Sequence, residues 1–241
     1  MQTVLMLLLI CILLASVVSF AVMGWLQKRR SNALEARACE MNMRFSAEDP
    51  FDVPQRYAPF TVIGSGHSAR ASNVTYGRID GWAVRAFDFR YEVGHGTRRE
   101  TRRYGIVLVE TDRAFPNLLM WHDRDAQWAP LPAQRLGGRI APWSFRGDEG
   151  LAAALAGFCR EIAERGVSVQ VRQSVLMFSQ PVRDRKVPYL RLLGQVGRLI
   201  ARLKDDPLGS APATDEAPEP ASLASPARNH SHRVVENRPG M

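Results

Sequence analysis

The chain has 241 residues, 46% hydrophobic and 23% charged, which allows one domain of ordinary size with appendages and excludes a wholly disordered or fibrous protein. The formal charge is +8, and arginine supplies almost all the cations, with lysine only at 28, 186 and 204. Three cysteines, Cys11, Cys39 and Cys159, are too widely spaced for a disulfide framework or a zinc site, so no metal or cofactor is expected.

From Val4 to Leu26 no side chain is charged. Twenty-three helical residues rise roughly 34 Å, enough to cross a hydrocarbon core of roughly 30 Å. Trp25 closes the run at a position suited to the membrane interface, and Lys28, Arg29 and Arg30 follow at once. Positive charge after the span, with only the α-amino group before it, predicts an N-terminus outside and a C-terminal domain in the cytoplasm. A cleaved signal peptide would carry its charge before the apolar run. The chain therefore reads as an integral, single-pass protein of the inner (cytoplasmic) membrane.

Residues 27–44 read as a helix leaving the membrane, with Leu34, Ala38 and Met41 on one stripe. Pro50, Pro54 and Pro59 make 46–59 a loop, and Phe60-Thr61-Val62-Ile63 reads as a short strand. Next, 82–93 and 97–110 form a hairpin around Gly94-His95-Gly96. A two-residue His95-Gly96 loop would set Phe87 opposite Tyr104, Asp88 opposite Arg103 and Glu92 opposite Arg99. A turn at Pro116-Asn117 precedes a strand at Leu118–Trp121. Asp148 is placed to cap a helix over 149–165 that buries Leu151, Leu155, Phe158 and Ile162. A strand over 167–178 and a helix opened by Pro188 complete the domain, the helix burying Leu193, Val196, Ile200 and Leu203. From Asp205 the chain is rich in Pro, Ala and Ser and is expected to be disordered. The reading is an α+β fold, with an antiparallel sheet of about five strands and packed helices, preceded by one transmembrane helix. Its parts are an anchor with a basic stop (1–30), a juxtamembrane helix (31–45), the soluble domain (46–204) and the tail (205–241).

Gly64-Ser65-Gly66-His67-Ser68-Ala69 matches GxGxxA after an apparent strand. Nucleotide binding needs a helix there to receive the pyrophosphate, and 69–81 lack the apolar positions to pack one. His67, His95 and His122 fit no metal or protease spacing, so the alternative, a hydrolase-like enzyme, would need a site assembled only in three dimensions. Arg98, Arg99, Arg102 and Arg103 cluster at the hairpin tip. Together with Lys28, Arg29 and Arg30 they form the candidate surface for anionic lipid headgroups; nucleic acid is the weaker candidate. The bland alternative is a solvated hairpin whose charges discourage edge pairing.

Asn73-Val74, Gly77, Phe87-Asp88, Tyr91, Gly94 and Gly96 resemble a family of uncharacterised bacterial single-pass membrane-anchored proteins, which have an Asn-Val-x-x-Gly turn followed by a Phe-Asp-aromatic-x-Tyr hairpin strand. Phe89 stands where that pattern has tyrosine. The resemblance implies an anchored layout and no assigned activity. The expected function is thus a membrane-tethered interaction module, contacting a protein partner or anionic headgroups.

Overall fold

The computed structural model describes residues 2–128, 137–162, 166–182 and 189–205. The tail from 206 onward, Arg165 at the expected helix end and Pro188 lie outside these residues. Among them the chain forms four α-helices and a seven-stranded antiparallel sheet, two strands more than the sequence indicates.

Helix α1 runs unbroken over Gln2–Glu40, so the membrane-span candidate and the juxtamembrane helix are one rod. Its apolar half is long and apolar enough to cross a membrane, and none of that stretch is buried against the domain. Leu34 and Ala38, further along, are buried in the core. The rod thus changes partner along its length, bare apolar surface first and a packed stripe later.

A tight reversal at 41–43 leads into strand β1 (Arg44–Ser46). A single helical turn, α2 (Val53–Arg56), follows, and the apolar segment 60–63 is a turn, not a strand. The amide of Gly64 bonds back to the Phe60 carbonyl at 2.8 Å, which closes this segment on itself. Its apolar side chains, Phe60, Val62 and Ile63, fill one side of the core without pairing into the sheet.

Strands β2 (His67–Ile79), β3 (Trp82–Val93) and β4 (Glu100–His122) form a continuous meander. The β3–β4 register pairs Phe87 with Ile106, Phe89 with Tyr104 and Asp88 with Gly105. It differs by two residues from the register of a two-residue loop, because the connection is longer: Val93 pairs with Glu100, and Gly96–Arg98 form a 3₁₀ turn. A slip of two keeps every side chain on its face, whereas a slip of one would have inverted them. Both faces of the hairpin base are buried. Val84, Ala86, Val107 and Val109 face the helices, and Phe87, Phe89, Ile106 and Leu108 face the 53–63 segment.

β4 continues straight through Pro116. Its pairing with β7 (Ser168–Pro181) shifts register on both sides of Phe115, an irregularity that tolerates a residue without an N–H. β7 accompanies β4 over most of its length, while β3 and then β6 (Trp143–Gly147) take the other side, with β5 (Gly138–Ile140) beyond. Helix α3 (Glu149–Ile162) is capped as expected: Asp148 Oδ1 accepts the Leu151 amide at 2.7 Å. Leu151, Leu155 and Phe158 are buried, as are Leu193, Val196, Ile200 and Leu203 of α4 (Tyr189–Asp205).

Candidate functional site

Direction decides what the hairpin does. Arg44, just beyond the far end of α1, pairs with Tyr76, which pairs with Arg85 on β3. Three residues further along β3, Asp88 meets the guanidinium of Arg30 at 3.0 Å. β3 therefore runs back along α1 towards its apolar half. From Asp88 to Val93 is roughly 17 Å of strand, whereas Arg30 to Trp25 is roughly 7.5 Å of helix. The strand segment is the longer by about 9 Å, so the hairpin points towards the apolar run and is long enough to reach past Trp25.

Asp88 sits on the helix-facing side of the sheet. Asn73 Nδ2 donates to its carboxylate at 2.8 Å, beside the Arg30 contact. Asn73 adopts a left-handed backbone (φ 53°) at an irregularity between Ser72 and Thr75, so the motif that reads as a turn is a bulged strand. Burial raises the Asp88 carboxyl above its ordinary range, against the opposing pull of Asn73 and Arg30. Nearby, the hydroxyls of Thr75 and Tyr189 share a buried 2.9 Å hydrogen bond, and a Cβ on Gly105 would press on Tyr189 at 3.3 Å. α1, β2, β3 and α4 are thus pinned at one junction. Sequence reading missed it; the signal was a lone acid, Asp88, inside an apolar strand.

At the tip the arginines divide. Arg99 is paired with Glu92, and Arg102 lies 3.7 Å from Glu100. Arg90, Arg98 and Arg103 are exposed and make no ion pair within 4 Å among the described residues, although the charge of Arg103 also pulls on the Asp88 carboxyl. On α1, Lys28 and Arg29 are exposed, the latter 5.4 Å from the Trp25 ring. Arg30 alone among the seven candidate cations joins the anchor to the hairpin.

Two of the three histidines meet, without a triad's geometry. His67 and His95 stack at the tip, ring centroids 5.3 Å apart. His67 Nδ1 faces both Ser68 Oγ (3.4 Å) and Glu92 (3.7 Å), and Nε2 meets the Gly94 carbonyl at 2.9 Å. A catalytic triad needs hydroxyl and carboxylate on opposite nitrogens. His122 is buried: its Nδ1 accepts the Arg124 amide, its ring stands edge-on to Trp143, and burial lowers its pKa. Gly66 of the glycine-rich stretch has φ 72°, and a Cβ there would lie 2.2 Å from the Glu92 carbonyl oxygen. That glycine serves the close approach of two strands, and no helix follows it.

On the opposite face of the sheet, away from the apolar half of α1, a second network surrounds Glu110. It accepts from Arg85 at 2.7 Å, from Arg56 at 3.2 Å and from the Tyr57 hydroxyl. Burial alone would raise the Glu110 pKa, but the bonds from Arg85 and Tyr57 outweigh it and hold the carboxylate low. Phe51 covers the Arg85 guanidinium at 4.7 Å. Beside this network an open groove of about 490 Å³ is lined by Asn42, Arg44, Phe51, Tyr76, Arg78 and Arg85.

No family model and no curated protein matches the chain. Among solved structures, the chain is similar to the crystal structure of the mycobacterial trehalose monomycolate transport factor A, TtfA. The identity is 15%, the TM-score 0.49, and the match covers 72% of this chain and 94% of that one.

Proposed function

We propose that this protein is a membrane-tethered interaction module. α1 spans the inner membrane with its N-terminus outside, and the α+β domain lies in the cytoplasm with its basic hairpin tip against anionic headgroups. The observation that carries the reading is the Arg30–Asp88 ion pair at 3.0 Å, which ties the hairpin to the helix where it leaves its apolar run. Arg98 and Arg103 then lie within reach of the surface that Lys28 and Arg29 address. Arginine forks suit phosphate oxygens, and a tethered domain meets that surface at high effective concentration. The motif of Asn73 and Asp88 serves in this reading as the brace that aims the tip.

The test compares the full chain in nanodiscs of zwitterionic and of anionic lipid, by hydrogen exchange of residues 94–103. The reading expects protection in anionic discs that salt and the pair Arg98→Glu, Arg103→Glu remove. Arg99→Glu with Arg102→Glu should matter less, because both are already matched by acids. Equal exchange in the two lipids would leave a protein partner as the tip's target.

A further inference from the structure

The groove at the other end of the hairpin has a composition that the bilayer reading does not use. Arg44, Tyr76 and Arg85 are cross-strand neighbours, so all three project from one face of β1, β2 and β3. Arg78 lies two residues beyond Tyr76 on that face, opposite Ala83. Phe51 stands over the row, edge-on to the Tyr76 ring at 5.0 Å and covering Arg85. The groove is thus lined by two aromatic rings and by arginines.

The three arginines are not equivalent. Arg85 is bound to Glu110 and Tyr57, and its buried Nε finds no partner among the described residues. Arg44 and Arg78 are exposed, and among the described residues neither meets a carboxylate; Arg78 only caps the Gly81 carbonyl at 3.2 Å. Two unneutralised guanidinium groups on adjacent strands match the charge of a phosphomonoester, about −1.5 to −2 at neutral pH, better than a single carboxylate. The adjoining rings offer a face to a flat apolar substituent.

The geometry points to a binding site for a phosphomonoester that carries an aromatic group. Its phosphate is held by Arg44 and Arg78 and its ring packs against Phe51 and Tyr76. From Trp25 to the end of α1 is roughly 22 Å of helix, so the groove stands about two Debye lengths from the bilayer edge. The ligand comes from solution or from a partner, not from a headgroup in the same membrane.

The experiment uses the full chain in phosphatidylcholine nanodiscs and titrates phenyl phosphate, inorganic phosphate and phenol by calorimetry. Phenyl phosphate should bind saturably and more tightly than either fragment. Arg44→Gln with Arg78→Gln should weaken it about tenfold or more, the loss of charge-assisted hydrogen bonds. Phe51→Leu should weaken phenyl phosphate and leave inorganic phosphate unchanged, which a folding defect would not do. Arg98→Glu with Arg103→Glu should change nothing, separating this site from the tip. Absence of saturable binding overturns the assignment. So does binding that survives the arginine pair, or a Phe51 effect equal on both phosphates.

Discussion

Arg30 and Asp88 are 58 positions apart in sequence and 3.0 Å apart in space, and their pairing joins the turn of α1 just past its apolar run to the middle of the hairpin. Arg30 is half exposed, so solvent screens the attraction. A double-mutant cycle with Arg30→Gln and Asp88→Asn should give a coupling of only about 0.5–1 kcal/mol. Asp88→Ala should cost more, about 1–3 kcal/mol, because it also strips the partly buried Asn73 amide of its acceptor. Denaturant unfolding in a mild detergent measures both. The pair's value lies in direction, not in stability.

Asp88 and Glu110 should shape acid stability in opposite senses. The folded pKa of Asp88 is raised, so the folded state holds its proton longer than the unfolded chain. Its contribution to stability therefore grows as pH falls from above that raised value towards the ordinary 3.8. The folded pKa of Glu110 is lowered, so its stabilisation is present above the ordinary 4.5 and is lost as pH falls through the folded value. Stability measured against pH should show Glu110→Gln flattening the acid limb and Asp88→Asn steepening it. The same slope in both variants would refute the assignment.

Thiol reactivity offers a topological readout. Cys159 is buried in α3 and burial pushes its thiol up to about 12, whereas Cys39 is exposed on α1. A membrane-impermeant maleimide at neutral pH should modify Cys39 and spare Cys159 until the protein unfolds. With a cytoplasmic domain, Cys39 reacts in inverted vesicles and not in intact cells. Labelling in intact cells would place the domain on the other side.

What could be read from sequence followed periodicity and caps. The apolar run, the Leu34–Ala38 stripe, the Asp148 cap and the buried faces of α3 and α4 all depend on spacing within one element. The misses depend on what lay outside the element. Phe60–Ile63 has strand composition, but its side chains reach the core through a local turn. Pro116 breaks most strands, yet β4 passes it at a register irregularity. β1 and β5 are three residues each, too short to show a period. The junction of Arg30, Asn73 and Asp88 and the groove of Arg44, Tyr76 and Arg78 join distant segments, and no local pattern announces them.

Contact between the hairpin tip and the membrane is open to direct measurement. A nitroxide at Thr97 in anionic nanodiscs, with Cys11 and Cys39 replaced by serine, compares directly with one at Asp80 in the exposed turn at the hairpin's other end. At Thr97 the label should be shielded from a water-soluble nickel chelate and immobilised, while at Asp80 it stays freely accessible. Equal accessibility at the two positions would contradict the account.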